Sequence, residues 1–167
     1  MKKNVKLLIK NMVMEKITIR KAELKDADRL LVFEQGVISA ERPFDPTLKT
    51  GHTHYYDIEK MMTAPNVELV VAELDNELIG CGYARIEDAK PYLQHTQHAY
   101  LGFMYVVPQH RGKGVNKMVI DALALWSSSQ HIKELRLDVY QHNEAAIKAY
   151  ERCGFTKHML AMRMGLT

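Results

Sequence analysis

The amino-acid sequence predicts an α/β (α+β) domain with elements in the order βααβββαβαβ, and three observations carry that expectation. Short windows of strict apolar alternation are interleaved with windows whose apolar residues recur at helical spacing. The 167 residues suffice for one domain whose core needs no disulfide staples. A hydrophobic share of 47% and a charged share of 26% are those of an ordinary globular chain, which excludes disorder, collagen and coiled coil. No internal repeat, linker or low-complexity stretch divides the chain. Charges interrupt its apolar stretches well before the ~20 residues of a membrane-spanning helix.

The first strand is read over residues 16–20, where Ile17 and Ile19 alternate with polar neighbours. Asp26 supplies an N-cap for a helix carrying Ala27, Leu30, Leu31 and Phe33. Residues 39–54, rich in Pro, Gly, Thr and charge, read as a loop. A second helix follows over residues 55–62 and is ended by Pro65. The β-rich runs 67–74 and 77–87 are separated by Asp75 and Asn76, the pattern of a hairpin with a two-residue turn. Another strand covers residues 98–107 and stops at Pro108. Met118, Val119, Ala122, Leu123 and Trp126 then recur at helical spacing. Leu135, Leu137 and Val139 alternate as a strand, Asn143 opens a helix, Gly154 closes it at the C′ position, and residues 155–164 return as a final strand.

Charge is unevenly placed. Residues 1–13 hold Lys2, Lys3, Lys6 and Lys10 and no acid, whereas residues 14–167 carry 19 basic against 20 acidic side chains. The formal charge of +3 therefore belongs to a basic N-terminal extension, 1–13, and the functional domain is placed at 14–167. Met12 and Met14 offer alternative translation starts. Lys6 and Lys10 break the run from Val5 to Ile9, so the extension lacks the apolar stretch of a signal peptide. Four lysines without interleaved aromatics, beside a near-neutral body, argue against a nucleic-acid partner. Cys81 and Cys153 form no C-x-x-C pair and no disulfide framework, so a cytoplasmic protein is expected. The closest histidine groupings are His52 with His54 and His95 with His98. Neither has Cys partners or an H-E-x-x-H pattern, and no metal site is expected.

The chemistry concentrates in two stretches. In Val106-Val107-Pro108-Gln109-His110-Arg111-Gly112-Lys113-Gly114-Val115-Asn116 a strand is followed by alternate glycines and a helix. Glycines admit positive φ and let phosphate oxygens approach the backbone, so several N–H groups can converge on one anion. The helix N-terminus adds about half a positive charge, and Arg111 and Lys113 add whole ones. A Walker A loop and the dinucleotide fingerprint G-x-G-x-x-G are both absent, since Lys117 stands at the third glycine position of the latter. A Gly-rich turn with two solvated cations is the plainer alternative.

The second stretch runs from Leu137 through Asn143, Ala146 and Tyr150 to Cys153-Gly154-Phe155. Asn143 and Tyr150 lie seven residues apart, which at 3.6 residues per turn puts them on one helix face with Ala146 between. A small residue there leaves a groove for an extended ligand, with an amide at one end and a phenol at the other. An N-cap and a core aromatic would account for the same residues.

Together these stretches resemble the GNAT superfamily of acyl-CoA N-acyltransferases. Gln109-x-x-Gly112-x-Gly114 fits its pyrophosphate signature, and Asn143, Ala146, Tyr150 and Gly154-Phe155 fit its next motif at the usual distance. The opening Ile19-Arg20-Lys21-Ala22 and Asp26-Ala27-Asp28 also look like the start of such domains. The resemblance covers about residues 14–167. Asn116 departs from it, where many relatives have a glycine or small residue.

By that resemblance the fold is a mixed, mostly antiparallel sheet splayed at the cofactor site, with helices on both faces. It implies an N-acetyltransferase, an acyltransferase that passes the acetyl group of acetyl-CoA directly to a primary amine in a ternary complex. The pyrophosphate of the coenzyme A would sit on Gln109 and on Arg111, Gly112, Lys113, Gly114, Val115 and Asn116. Its pantetheine arm would pair with backbone at Met104, Tyr105, Val106 and Val107. Tyr150 would protonate the departing thiolate, with Asn143 and Ala146 holding the cofactor nearby; neither cysteine need be a nucleophile.

Many relatives place a glutamate on the strand before the loop as base, and here residues 98–107 contain no acid. His98, whose residue type titrates near 6.5, leads Tyr100, Tyr105 and Glu87 as the candidate base, beside relayed water. Glu41, with Phe44, Tyr55 and Tyr56, would enclose the ammonium group of a small-molecule or peptide acceptor. A homodimer through exposed terminal strands is also admitted. The missing strand carboxylate favours one alternative, a noncatalytic acyl-CoA-binding sensor module.

Overall fold

The computed structural model describes residues 17–166. The basic extension 1–13 and the expected strand start at Lys16 lie outside them. Five strands form one sheet in chain order: β1 (Thr18–Lys21), β2 (Val67–Leu74), β3 (Glu77–Asp88), β4 (Gln97–Val106) and β5 (Leu135–Arg136). Neighbours are antiparallel except β4 and β5, which run parallel. The helices are α1 (Ala27–Glu41), α2 (Ile58–Thr63), α3 (Val115–Ser129) and α4 (Glu144–Arg152).

Two apolar layers flank the sheet. Leu30, Phe33 and Val37 of α1 and Ile58 of α2 pack on one face with Leu69, Val71, Tyr83 and Phe103. Val115, Val119, Ile120 and Leu123 of α3 pack on the other with Val70, Ala72, Ala99 and Leu101. The two-residue period of β2 and β4 sorts their side chains between the two layers. Asp75 (φ 50°) and Asn76 (φ 65°) both adopt the left-handed region, as a type I′ hairpin demands. Among the described residues no helix is long and apolar enough to cross a membrane.

Several boundaries moved. Asp26 does precede α1, but its carboxylate caps nothing there. It accepts from Glu23 N–H (2.8 Å) and from the Arg20 guanidinium (2.7 and 3.0 Å), clasping β1 to the helix start. The first helix runs on to Glu41, three residues into the expected loop. The second starts at Ile58 rather than 55, because Asp57 caps it through Lys60 N–H (3.1 Å) and the N–H groups of Tyr55 and Tyr56 are bound elsewhere.

The strand expected at Leu135, Leu137 and Val139 is a ladder of only two residues. The final strand expected over residues 155–164 is absent: 155–166 pair with no strand. Met159, Leu160, Met162, Met164 and Leu166 are 57–89% exposed. Alternation signals a strand only where an edge can receive it, and the two-residue β5 offers almost none. Arg163 instead ties this segment to Asp45 (3.0 Å) and Thr47 (3.2 Å).

Candidate active site

The short β5 creates the opening on which the site is built. It pairs with β4 only at Ala99 and Tyr100, after which the chain leaves the sheet and the edge of β4 from Leu101 to Tyr105 pairs with no strand among the described residues. On its other side β4 carries a bulge, with Phe103 and Met104 opposing Gly82 of β3. Phe103 has φ 53°, a left-handed value that a buried aromatic adopts at a cost of ~1–2 kcal/mol. Bulges of this kind re-aim backbone groups beside functional sites.

At the end of β4 the glycine loop presents a run of unengaged donors. Gly112 (φ 74°) and Gly114 (φ 83°) turn the chain into α3, and a Cβ on either would meet nothing within 4 Å, so the loop faces open space. The N–H groups of Gly112, Lys113, Gly114, Val115 and Asn116 have no protein partner among the described residues. Arg111 differs from expectation: its N–H donates to Pro108 C=O (3.3 Å) and its Nε to Val106 C=O (2.9 Å), with the guanidinium over the Tyr105 ring. Gln109 sits in a 3₁₀ turn, Pro108–His110, that leads into the loop. Five N–H groups without a protein partner among the described residues, a helix N-terminus and exposed Lys113 fit an oxyanion such as a pyrophosphate.

On the α4 side, Asn143 Oδ1 accepts from Ala146 N–H (3.2 Å), so its carbonyl caps the helix. Gly154 (φ 97°) closes α4 with a Schellman pair: its N–H donates to Glu151 C=O and Phe155 N–H to Tyr150 C=O. That closure turns Phe155 edge-on against Tyr150, ring centroids 6.0 Å apart. Burial and the nearby Glu41 charge push the Tyr150 phenol up to about 12, so it holds its proton at neutral pH. Burial also pushes both the Cys81 and Cys153 thiols up, the opposite of what a nucleophile needs.

On the α1 face lies an open cavity of about 680 Å³ lined by Tyr55, Tyr56, Tyr83, Tyr100, His54, Arg85, Glu87, Gly102 and Asp138. Its tyrosines pack edge to face, and Tyr56 stacks on Phe103 at 4.6 Å. Arg85 Nε donates to Glu87 (2.8 Å) and the Tyr100 hydroxyl to Asp138 (3.3 Å), the latter bridging the gap between β4 and the chain beyond β5. Desolvation and the Asp138 charge push the Tyr100 phenol far above its ordinary value. The Arg85 guanidinium lies over the Tyr83 and Tyr100 rings at 5.6 and 5.8 Å, so the cavity already holds one cation among its aromatic faces and two carboxylates.

The expected acceptor residues divide. Tyr55 and Tyr56 line the cavity; Phe44 stacks on Tyr140 at 6.0 Å instead, outside the lining. Glu41 stands beside Tyr55, where burial raises its carboxyl above the usual range and its charge helps push the Tyr55 phenol up to about 12. The contact stops short of hydrogen-bond geometry, leaving the buried Tyr55 hydroxyl without a partner. His98 is buried on β4 opposite Glu87, with Nε2 3.7 Å from that carboxylate and Nδ1 unpartnered, and it does not line the cavity. Burial lowers its pKa, with the Arg136 charge reinforcing the shift. Among the described residues no three His, Cys, Asp or Glu side chains gather for a metal.

The sequence did not single out Glu34, Phe103, Arg85 or Asp138, and it noted His54 only as a neighbour of His52. Two of these had a readable signal: Gly102 inside a strand pattern marks a bulge, and Glu34 interrupts the apolar stripe of α1.

A splayed mixed sheet whose open edge leads into a glycine loop of N–H groups unpartnered among the described residues, with an aromatic cavity on the α1 face, fits the class of acyl-transfer folds. The comparisons agree. The model of the acetyltransferase (GNAT) family matches residues 35–155, and the chain belongs to that family. It is 26% identical, over 65% of its length and 72% of the relative's, to an aminoglycoside N(6')-acetyltransferase type 1 of Stenotrophomonas maltophilia. Among solved structures, a Bacillus halodurans protein superposes with a TM-score of 0.81 at 17% identity, over 89% of this chain and 99% of that one. The aminoglycoside acetyltransferase AAC(6')-Iy, solved with the bisubstrate analogue CoA-S-monomethyl-acetylneamine, superposes at 0.68 with 21% identity over 91% and 99%.

Proposed function

We propose that this protein is an acetyl-CoA-dependent N-acetyltransferase whose acceptor is a small, cationic primary amine. The observation that carries the reading is the pairing, at one splayed edge, of a donor-lined anion loop with a cavity of four tyrosines and two carboxylates. The N–H groups of residues 112–116 hold the pyrophosphate, the edge of β4 at Met104–Val107 receives the pantetheine arm, and Tyr150 keeps its proton at Oη for the sulfur. Bound acetyl-CoA supplies the acyl group as a thioester. Asp138, which among the described residues accepts only from the Tyr100 hydroxyl, attracts the ammonium group, and the Tyr55 and Tyr56 faces orient it. The relatives named for aminoglycosides point to polycationic aminocyclitols before peptides.

The test is thiol release from acetyl-CoA across a panel of aminoglycosides, polyamines and peptides. Turnover with an aminoglycoside or polyamine above peptide levels is expected; tight acetyl-CoA binding with background release across the panel would instead favour a noncatalytic sensor. The exposed apolar residues 159–166 also support the expected homodimer, which sedimentation equilibrium reads directly.

A further inference from the structure

Glu34 stands on the core-facing stripe of α1, between Phe33 and Val37, and is completely buried. A carboxylate in that position is costly unless its oxygens are engaged. They are: Oε1 accepts from the N–H groups of Tyr55 (2.6 Å) and Tyr56 (2.8 Å), and Oε2 binds His54 Nδ1 at 2.7 Å. The two backbone bonds alone would fix the loop. The third sets a tautomer, because an ionised carboxylate can only accept, and Nδ1 must then carry the proton. Nε2 of the neutral ring then carries its lone pair on the outer side, where it meets only the exposed His52 Nε2 (3.2 Å) among the described residues and where the side chain is 53% exposed and lines the cavity.

We propose that His54 is the proton acceptor for the incoming amine and that Glu34 is its positioning residue. The inference rests on the acetyl-transfer reading of the cavity. Glu34 holds Nδ1, and on the other side the exposed His52, whose Nε2 is 3.2 Å from that of His54, must swing aside for the amine to reach the ring. Across the cavity, Glu87 is held by Arg85 and Asp138 by Tyr100, so both carboxylates are already engaged. An ammonium R–NH₃⁺ gives one proton to His54 Nε2, and the freed lone pair forms the new C–N bond as the C–S bond breaks. The second proton ends on the sulfur, and the exposed imidazolium returns the first to solvent. Net, one amide, one thiol and one H⁺ appear, and nothing is oxidised or reduced.

The test uses the full chain and the panel amine that the wild type turns over fastest. His54→Ala should lower kcat by ~10²–10⁴-fold, leave acetyl-CoA affinity unchanged, and flatten the acid limb of the kcat/KM profile. Free imidazole should restore part of the rate, and the deficit should shrink with hydroxylamine, which arrives already deprotonated. Glu34→Gln should lower kcat while shifting the ring tautomer. Because that variant removes a buried charge, ¹⁵N NMR of the His54 ring in the free wild type provides a check independent of turnover: Nδ1–H is expected. A His54→Ala enzyme with an intact acid limb and full kcat, or an Nε2–H tautomer in the wild type, overturns the inference. A wild type that releases no thiol with any amine refutes the acetyl-transfer reading itself, before any variant is compared.

Discussion

Two side chains show how neighbours set the chemistry of a single group. Tyr150 is pushed up to about 12 by burial and by the Glu41 charge, which keeps it a donor at neutral pH. Tyr150→Phe preserves the ring packing on Phe155 and removes only the hydroxyl. It should lower kcat by ~10²–10⁴-fold with acetyl-CoA affinity unchanged, measured by thiol release beside calorimetric titration. Asp26 is the structural counterpart: hydrogen bonds from the Arg20 guanidinium hold its carboxyl below the ordinary carboxylate range. A depressed folded pKa contributes stability that is present above the unfolded value of about 3.9 and is lost as pH falls through the folded one. Arg20→Met should therefore cost ~1–3 kcal/mol at pH 7 and flatten the loss of stability below about pH 4. Urea unfolding across pH checks both parts.

At the scale of elements, β3 and β4 lie so close at Gly80 that an added Cβ would sit 2.8 Å from the Tyr105 carbonyl oxygen. Backbone cannot swing aside as a side chain does, so Gly80→Ala should destabilise by ~1–3 kcal/mol, read as a lowered denaturation midpoint. It should also disturb the bulge that follows. The elements legible in the sequence are those whose signal is local. Asp75-Asn76 specifies its own turn, Gly154 its own helix end, and the glycines at 112 and 114 their own left-handed loop. The illegible ones depend on distant partners. Nothing within residues 155–164 says that β5 is two residues long and offers no edge, and nothing near His54 says that Glu34, twenty positions earlier, meets it. Half of the acceptor cavity was likewise hidden, since Arg85, Gly102 and Asp138 converge only once three strands are assembled. Phe44 read as an acceptor contact from sequence neighbourhood alone, and its stacking on Tyr140 takes it elsewhere.

Over the whole molecule, charge is local in its effect. The body from 14 to 167 is within one charge of neutrality, so no global field gathers an anion, and the attraction falls to Lys113, Arg111 and the loop N–H groups. Exposed cations are screened over ~10 Å at 0.1 M salt, whereas the N–H bonds are not. Acetyl-CoA affinity should therefore fall by less than about tenfold between 0.05 and 0.5 M salt. Lys113→Ala should remove much of that dependence in titration calorimetry.

The tie from Arg163 to Asp45 and Thr47 links the end of the chain to the segment between α1 and α2, which also carries His54, Tyr55 and Tyr56. Disturbing that link is expected to shift the cavity-lining His54, Tyr55 and Tyr56 before it reaches the buried core. An affinity tag at the C-terminus is thus expected to distort amine preference in an otherwise stable preparation, and assays of specificity are best made on protein cleaved free of it.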